Sequence, residues 1–508
     1  MLSILVTHSY FLRFDPKQLA RAKPYPPLAT LQVASLLRKA GHRVALFDAM
    51  LAAGPSELEH ALRAERPQLV LLYEDNFNYL SKMCLARMRR AACEMIAAAR
   101  RHGAHVIAGG PDETDEPEPY LKAGADVVLV GEGLSALEQL VARLDASSSA
   151  APRPNTARAL AAGAAAPLAG VPGTAWLVHG NVVRRASALG PRESPRPVQP
   201  AWDLVDIEHY RRLWRDAHGY FSLNMAASRG CSFRCAWCAK PIWGNRYLQR
   251  DAVAVADEMI ELKRRFEPDH IWFADDIFGF RVDWVRDFAE RVVAAGGPVP
   301  FTIQTRADLL SARMAAALKA AGCREAWLGA ESGSQRILNA MHKGLEVAEI
   351  LTARARLRAA GIRTGFFIQL GYLGERFEDI LATRRLIELA RPDDIGVSVS
   401  YPLPGTKFYE LVKHQLAERT HWEASDDLAM MFHGTYTSEF YREVRDLLHA
   451  QVAIEAMRAR GELAAYARAR HALEERWTSL TAHERELRNP AGVELAAIRA
   501  SESRPGAP

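Results

Sequence analysis

Two series of alternating strand and helix patterns, separated by a stretch without periodicity, constrain this chain more than any other feature. In residues 1–145, short apolar runs at Ser3–Thr7, Arg43–Phe47, Gln68–Tyr73, His105–Ala108 and Asp126–Val130 alternate with helical patterns near Leu28–Lys39, Ser56–Glu65, Lys82–His102 and Pro117–Lys122, with another after Ser135. Alternation at this spacing predicts a doubly wound, Rossmann-like parallel sheet covered on both faces. Gly41 and Gly103 stand where helix C-terminal glycines belong. Ligands of such sheets bind beyond the carboxyl ends of the strands. Gly109-Gly110-Pro111 and Gly131-Glu132-Gly133 fall there. Their glycines suit close backbone approach to a ligand, or plain turns.

Residues 146–215 form a connector. It is Ala-, Ser- and Pro-rich at 146–172 and proline-rich at Pro191–Pro200, and the hairpin pattern Thr174–Val183 lies between. Residues 216–410 repeat the strand–helix rhythm, with candidate strands at Phe221–Ala227, His270–Ala274, Phe301–Gln304, Ala326–Gly329, Thr364–Leu370 and Ile395–Ser400. Six right-handed units of this kind predict a partial (β/α)6 barrel. Residues 411–508 read as a helical, polar C-terminal region, with Ser501–Pro508 disordered. There His421, Trp422 and Met430–His433 are candidates to face a substrate.

The loop after the first barrel strand carries Cys231-Ser-Phe-Arg-Cys235-Ala-Trp-Cys238. Three thiolates can bind three irons of a [4Fe–4S] cubane and leave the fourth open to a small molecule. Structural zinc is the competing use of such cysteines, but it takes four ligands, and no second pair stands near this triplet. The other cysteines, Cys84, Cys93 and Cys323, are scattered, which is no disulfide framework.

Barrel chemistry sits at the carboxyl ends of the strands. Asp275 and Asp276 follow the second strand, Gln304 and Arg306 the third, Glu331 and Ser332 the fourth, Gln369 the fifth and Pro404 the sixth. Carboxylates for an ammonium and hydroxyls, with an arginine for a carboxylate, suit a zwitterionic, ribose-containing ligand. Helix caps, ion pairs and turns are the structural alternatives for single members of this set.

A net charge of +5 on 65 basic and 60 acidic residues implies no field for nucleic acid. No run approaches the roughly 20 apolar residues of a transmembrane segment, and the N-terminus has no signal-peptide pattern. These readings, with unpaired thiols, predict a cytoplasmic protein.

The cysteine triplet resembles the signature of the radical S-adenosylmethionine (SAM) family. The series Pro26-Pro27, Leu36–His42, Ala108–Pro111, Gly124–Asp126 and Val130–Gly133 resembles the cobalamin (B12)-binding domain fused to many members of that family. The resemblance implies that Cys231, Cys235 and Cys238 hold a [4Fe–4S] cluster. It implies that Asp275, Asp276, Gln304, Arg306, Glu331, Ser332, Gln369 and Pro404 line a SAM site. It places Gly109, Gly110, Pro111, Gly131, Glu132 and Gly133 at cobalamin. No Asp-x-His-x-x-Gly motif is present, so the lower cobalt ligand is left open, with Tyr73–Tyr79 near that face. The implied reaction is methylation of an unactivated carbon or phosphorus centre in a small-molecule or lipid-like substrate, with electrons from a donor such as flavodoxin or ferredoxin. Cyclisation or rearrangement without methyl transfer, and a non-catalytic cobalamin- or metal-binding role, are the alternatives. A methylthiotransferase would need three further N-terminal cysteines, and only Cys84 and Cys93 are available.

Overall fold

The computed structural model describes residues 1–78, 86–148, 168–186, 199–238, 242, 245–416 and 428–489. Cys84, Tyr79, His421, Trp422 and the segment Ser501–Pro508 lie outside the described residues.

The first sheet has seven strands in the order β2-β1-β3-β4-β5-β6-β7. The strands are β1 (Ser3–Thr7), β2 (Arg43–Phe47), β3 (Leu69–Tyr73), β4 (His105–Gly109), β5 (Val127–Leu129), β6 (Thr174–Val178) and β7 (Asn181–Arg185). The first five are parallel and β6–β7 add an antiparallel hairpin to β5. The hairpin, placed by sequence in the connector, is therefore an edge of this sheet. Successive strand residues point to opposite faces, and the core divides accordingly. Ile4, Val6, Leu69, Leu71, Ile107 and Val127 pack in one cluster, while Leu5, Val70, Leu72, Val106 and Val128 pack in the other. Every residue of β3 is buried, as expected for a central parallel strand with both faces covered.

The second sheet has six strands in the order β15-β14-β13-β12-β11-β8, every neighbour parallel. They are β8 (Ser222–Met225), β11 (His270–Phe273), β12 (Phe301–Thr305), β13 (Cys323–Glu331), β14 (Arg363–Leu370) and β15 (Asp394–Val399). This consecutive order with intervening helices is the open barrel expected from sequence. A two-residue antiparallel ladder, β9 (Ser228–Arg229) with β10 (Leu248–Gln249), closes the neck of the loop between β8 and the next helix. Helices Ser438–Ala459 and Leu463–His483 pair with each other, and the first packs on β15 and on helix Phe377–Ala390.

The two sheets meet through a segment that the sequence marks only as Pro26-Pro27. Trp214 Nε1 donates to Pro24 O (2.7 Å), Asn224 Nδ2 to Pro26 O (2.9 Å), and Tyr25 Oη lies 3.0 Å from Ser222 Oγ. Tyr210 donates to Asp48 beyond β2 (2.7 Å). Within the barrel, Ser222, His270 and Thr302 form a hydrogen-bonded row across β8, β11 and β12. Burial and then Lys23 push the His270 pKa down to about 4, so this ring is neutral.

Candidate functional site

The cysteine loop leaves the barrel through a tightly held neck. Asp275, just past β11, accepts from Ala227 N (3.0 Å) and Ser228 Oγ (2.5 Å). Burial pushes its pKa up to about 7, against the pull of those donors. Asp275 thus staples the strand entering the loop, while its neighbour Asp276 is half-buried. Gly230, at φ 72°, makes the turn into Cys231. Beyond it, Ala236 N donates to Met341 O (2.8 Å) and Phe408 N to Ala236 O (2.9 Å), so the loop is sewn to two other strand–helix connections.

Cys231 is buried, and Cys235 and Cys238 are half-buried on the same loop. Among the described residues no three His, Cys, Asp or Glu side chains are placed to share one metal ion. A cubane asks for a different arrangement, one thiolate on each of three irons. The remaining described cysteines are elsewhere, Cys323 in β13 and Cys93 in helix Ala86–Arg101.

Arg306, expected at the SAM carboxylate, has another engagement. Its guanidinium binds Asp308 through two contacts of 3.0 Å, donates to the carbonyls of Lys343 and Gly344 (3.0 and 3.2 Å), and stacks 3.7 Å over the Phe233 ring. Its remaining nitrogen, Nη1, is 3.9 Å from Cys235 Sγ. Ser332 is likewise committed inward, at 3.2 Å from Thr383 Oγ1 and accepting from Ser334 N (3.1 Å).

Glu331 ends β13 in the left-handed region (φ 59°), beside a register shift between Gly329 and Glu331. Backbone held in this way concentrates at functional positions. Its carboxylate accepts from Lys343 Nζ at 2.6 Å, and both groups are buried. Lys343 was not singled out in the sequence. The signal that could have found it is its position in Lys343-Gly344, directly after the helix that follows the Gly-Ser turn. Gln369, at the end of β14, is 3% exposed and its Oε1 has no hydrogen-bond partner among the described residues. Gln304 and Pro404 are half-buried on their own strand ends. Asp276, Gln304, Glu331 and Gln369 thus stand at the carboxyl ends of four successive barrel strands.

At the first sheet, polar groups crowd the carboxyl ends of β1, β3 and β4. Ser9 N donates to Glu74 Oε1 (2.8 Å), and Asp75 accepts from Ala29 N (3.0 Å). Burial pushes the Asp75 pKa up to about 6. Burial, then the charges of Glu74 and Asp112, push Glu113 well above the usual carboxylate range. The missing Cβ atoms of Gly109 and Gly110 would meet Leu129 at 3.0 Å and Glu113 Oε2 at 2.4 Å, and that of Gly133 would meet Leu129 at 2.6 Å. Packing thus accounts for Gly109 and Gly110, and packing together with a left-handed φ of 64° for Gly133. Pro111 is buried and starts the short helix Pro111–Asp115. Gly131 differs, because among the described residues a Cβ there would meet only Ile242 O of the cysteine loop, at an ordinary contact distance of 3.7 Å.

A family model described as the radical SAM superfamily matches residues 225–387, and one described as a B12-binding domain matches residues 19–141. The chain belongs to the cobalamin-binding radical SAM enzymes. An uncharacterized methyltransferase of Pyrococcus horikoshii is 24% identical over 397 residues, covering 76% of this chain and 78% of that protein. The hopanoid C-3 methylase of Methylococcus capsulatus is 25% identical over 403 residues, covering 77% of this chain and 70% of that one. The fold matches that of the radical SAM methyltransferase TsrM from Kitasatospora setae, solved with cobalamin and a [4Fe-4S] cluster. The TM-score is 0.63 at 20% identity, over 83% of this chain and 79% of that one.

The residues of this radical SAM enzyme fit the groups its family carries. Three thiols on one anchored loop suit a [4Fe–4S] cluster with an open iron. The strand ends carry carboxylates and amides, a donor set that suits a zwitterionic, ribose-containing ligand. In the B12-binding domain, Asn76 is wholly buried, and among the described residues one oxygen of Glu113 has no hydrogen-bond partner, which suits the carboxamide-fringed corrin. Among the described residues no helix is long and apolar enough to cross a membrane.

Proposed function

We propose that this enzyme methylates an unactivated carbon or phosphorus centre of a small-molecule or lipid-like substrate. One observation carries the reading: the cysteine loop and the loop Gly131-Glu132-Gly133 are in contact, through Ile242 O against Gly131 and through Arg229 against Glu132. A radical generated at one site and a methyl group held at the other would then meet one substrate. Relatives named methyltransferase and methylase add support.

When bound, the cluster and SAM supply a carbon-based radical and cobalamin supplies the methyl group. The chain's own share is placement and exclusion of solvent. Cys231, Cys235 and Cys238 hold the cluster. Asp276, Gln304 and Gln369 take the polar groups of SAM, with Asp275, Arg306 and Ser332 behind them and Pro404 closing the last strand end. Lys343 presents the Glu331 carboxylate towards the ribose. Gly109, Gly110, Pro111, Gly131, Glu132 and Gly133 shape the B12 loops. No side-chain base is required for attack at carbon. We assign residues 1–145 together with the hairpin Thr174–Arg185 to the B12 domain, the rest of 146–215 to a connector, 216–410 to the barrel and 411–508 to a helical region that borders the substrate entrance. The near-balanced charge argues against a nucleic-acid substrate, and a reductant such as flavodoxin or ferredoxin in the cytoplasm would supply electrons.

The test is anaerobic reconstitution with iron, sulfide and cobalamin, then incubation with SAM, a strong reductant and candidate substrates. The expected result is 5′-deoxyadenosine from the native chain and none from Cys235→Ala, with product heavier by one methyl group. Product of unchanged carbon count would replace methylation by cyclisation or rearrangement. A loaded cluster that never cleaves SAM with any substrate would leave a binding protein.

A further inference from the structure

Arg229 belongs to the barrel, two residues before the first cluster cysteine, yet its guanidinium is lodged in the B12 domain. It pairs with the carboxylate of Glu132 and donates to the side-chain oxygen of Gln32 on helix Leu28–Lys39. Its charge also lies 5.9 Å from the centre of the Phe77 ring, in the loop after β3. Both side chains of the ion pair are largely removed from water, at 12% and 16% exposure. Glu132 is held from behind as well, since Tyr73 Oη donates to its carbonyl (2.9 Å).

The neck geometry makes this contact consequential. Arg229 is paired with Leu248 in the two-residue ladder, and Ser228 before it is tied to Asp275. Its position is therefore fixed by the barrel. On the far side of the three cysteines, Ile242 O approaches Gly131. The cysteine loop thus meets the tip of the B12 loop at two neighbouring points, Arg229 at Glu132 and Ile242 at Gly131.

We infer that Arg229 is a positioning residue for cobalamin: paired with Glu132, it sets the B12 loop in register with the cluster loop, so that Glu132 acts through the pair and not by touching the cofactor. This rests on the reading that loop 131–133 borders cobalamin. The arginine is suited to the task because its planar fork binds the carboxylate of Glu132 and the amide oxygen of Gln32 together. A lysine offers one compact charge and cannot span both in a fixed geometry.

The experiment measures hydroxocobalamin affinity by equilibrium dialysis on the full chain carrying its reconstituted cluster. The variants are Arg229→Met, Glu132→Gln, their double mutant, and the exchanged pair Arg229→Glu with Glu132→Arg. Each single change is expected to weaken binding about tenfold, the double no more than either single, and the exchange to recover most of the loss, since partners in one network are non-additive. The amide of Gln32 can turn to donate to a glutamate at position 229. Cluster absorbance and circular dichroism report whether each variant has folded. If Arg229→Met misfolds, Arg229→Lys replaces it and is expected to lose several-fold in affinity with its cluster intact. Weakening by Glu132→Gln alone, with Arg229→Met at native affinity, overturns the inference and puts Glu132 on the cofactor itself. So does strict additivity with no recovery on exchange. Failure of the unmutated chain to bind hydroxocobalamin is a separate outcome, which removes the B12 assignment of the loop and this inference with it.

Discussion

Lys343 Nζ lies 2.6 Å from Oε1 of Glu331, with both side chains buried where β13 delivers its last residue to the barrel rim. Burial works against the lysine's charge, but Glu331 and then Cys235 outweigh it, and its pKa ends above the usual lysine value. The pair is therefore an ionic one. Removing one member of a buried pair leaves an uncompensated charge, at a cost of about 3–5 kcal/mol. Lys343→Met should destabilise the chain by this order in urea unfolding, and adding Glu331→Gln should restore much of it. A loss as large in the double variant as in the single would mean that packing of the lysine stem, not its charge, is what matters.

Glu375 gives a pH dependence of known sign. It is fully buried, accepts from Gly371 N (2.7 Å) and has its other oxygen without a partner. Burial pushes its pKa up to about 8. An acid whose pKa rises on folding binds its proton more tightly in the folded state. Its contribution is complete below the unfolded value of 4.5 and is lost as pH rises towards about 8. Glu375→Gln keeps the shape of the protonated acid and cannot ionise. Melting temperatures taken between these pH values should therefore fall less steeply for the variant than for the native chain. Parallel profiles would show that Glu375 does not titrate in this window.

The strands were legible because period-two burial and all-apolar β3 leave few other folds for the first sheet, and the six-unit rhythm does the same for the barrel. The triplet Cys231, Cys235 and Cys238 was legible because its spacing is itself chemical information. What local sequence could not convey was the partner of each polar residue. Arg306 looked like a ligand for a carboxylate, and its carboxylate turned out to be Asp308, two residues on. Ser332 looked like part of the pocket and serves helix Phe377–Ala390 through Thr383. Glu132 looked like a cofactor residue and is bound to Arg229, 97 positions away. Long-range pairing of this kind depends on how two sheets dock, and neither periodicity nor motif encodes that.

Arg306 ties the cysteine loop to the barrel, so cluster retention should report on it. Its stacking on Phe233 and its two-point bond to Asp308 both need the planar guanidinium. Arg306→Lys preserves the charge and loses both contacts. Iron and sulfide retained after anaerobic reconstitution and desalting should drop well below the native level, while Cys323→Ala, altering a cysteine buried in β13, retains the native amount. Full retention in Arg306→Lys would reduce Arg306 to a source of charge.

Gly329 and Gly333 flank Glu331 in one short segment, but their missing Cβ atoms face different kinds of obstacle. A Cβ on Gly333 would lie 2.2 Å from the carbonyl oxygen of Ala382 and 2.7 Å from the Cα of Thr383. Those are backbone atoms of helix Phe377–Ala390, which cannot yield without moving the helix. Gly333→Ala should therefore cost stability on the scale of overpacking, about 1–3 kcal/mol. A Cβ on Gly329 would first meet the side-chain ends of Glu331 and Lys343, each at 2.7 Å, and not backbone. Gly329→Ala should displace that pair without moving the helix, so that its main effect is to weaken SAM binding, since the Glu331 carboxylate is what moves. Urea unfolding and SAM titration of the two variants, side by side, separate the effects. Equal losses of stability with SAM affinity untouched would remove Glu331 from the SAM site.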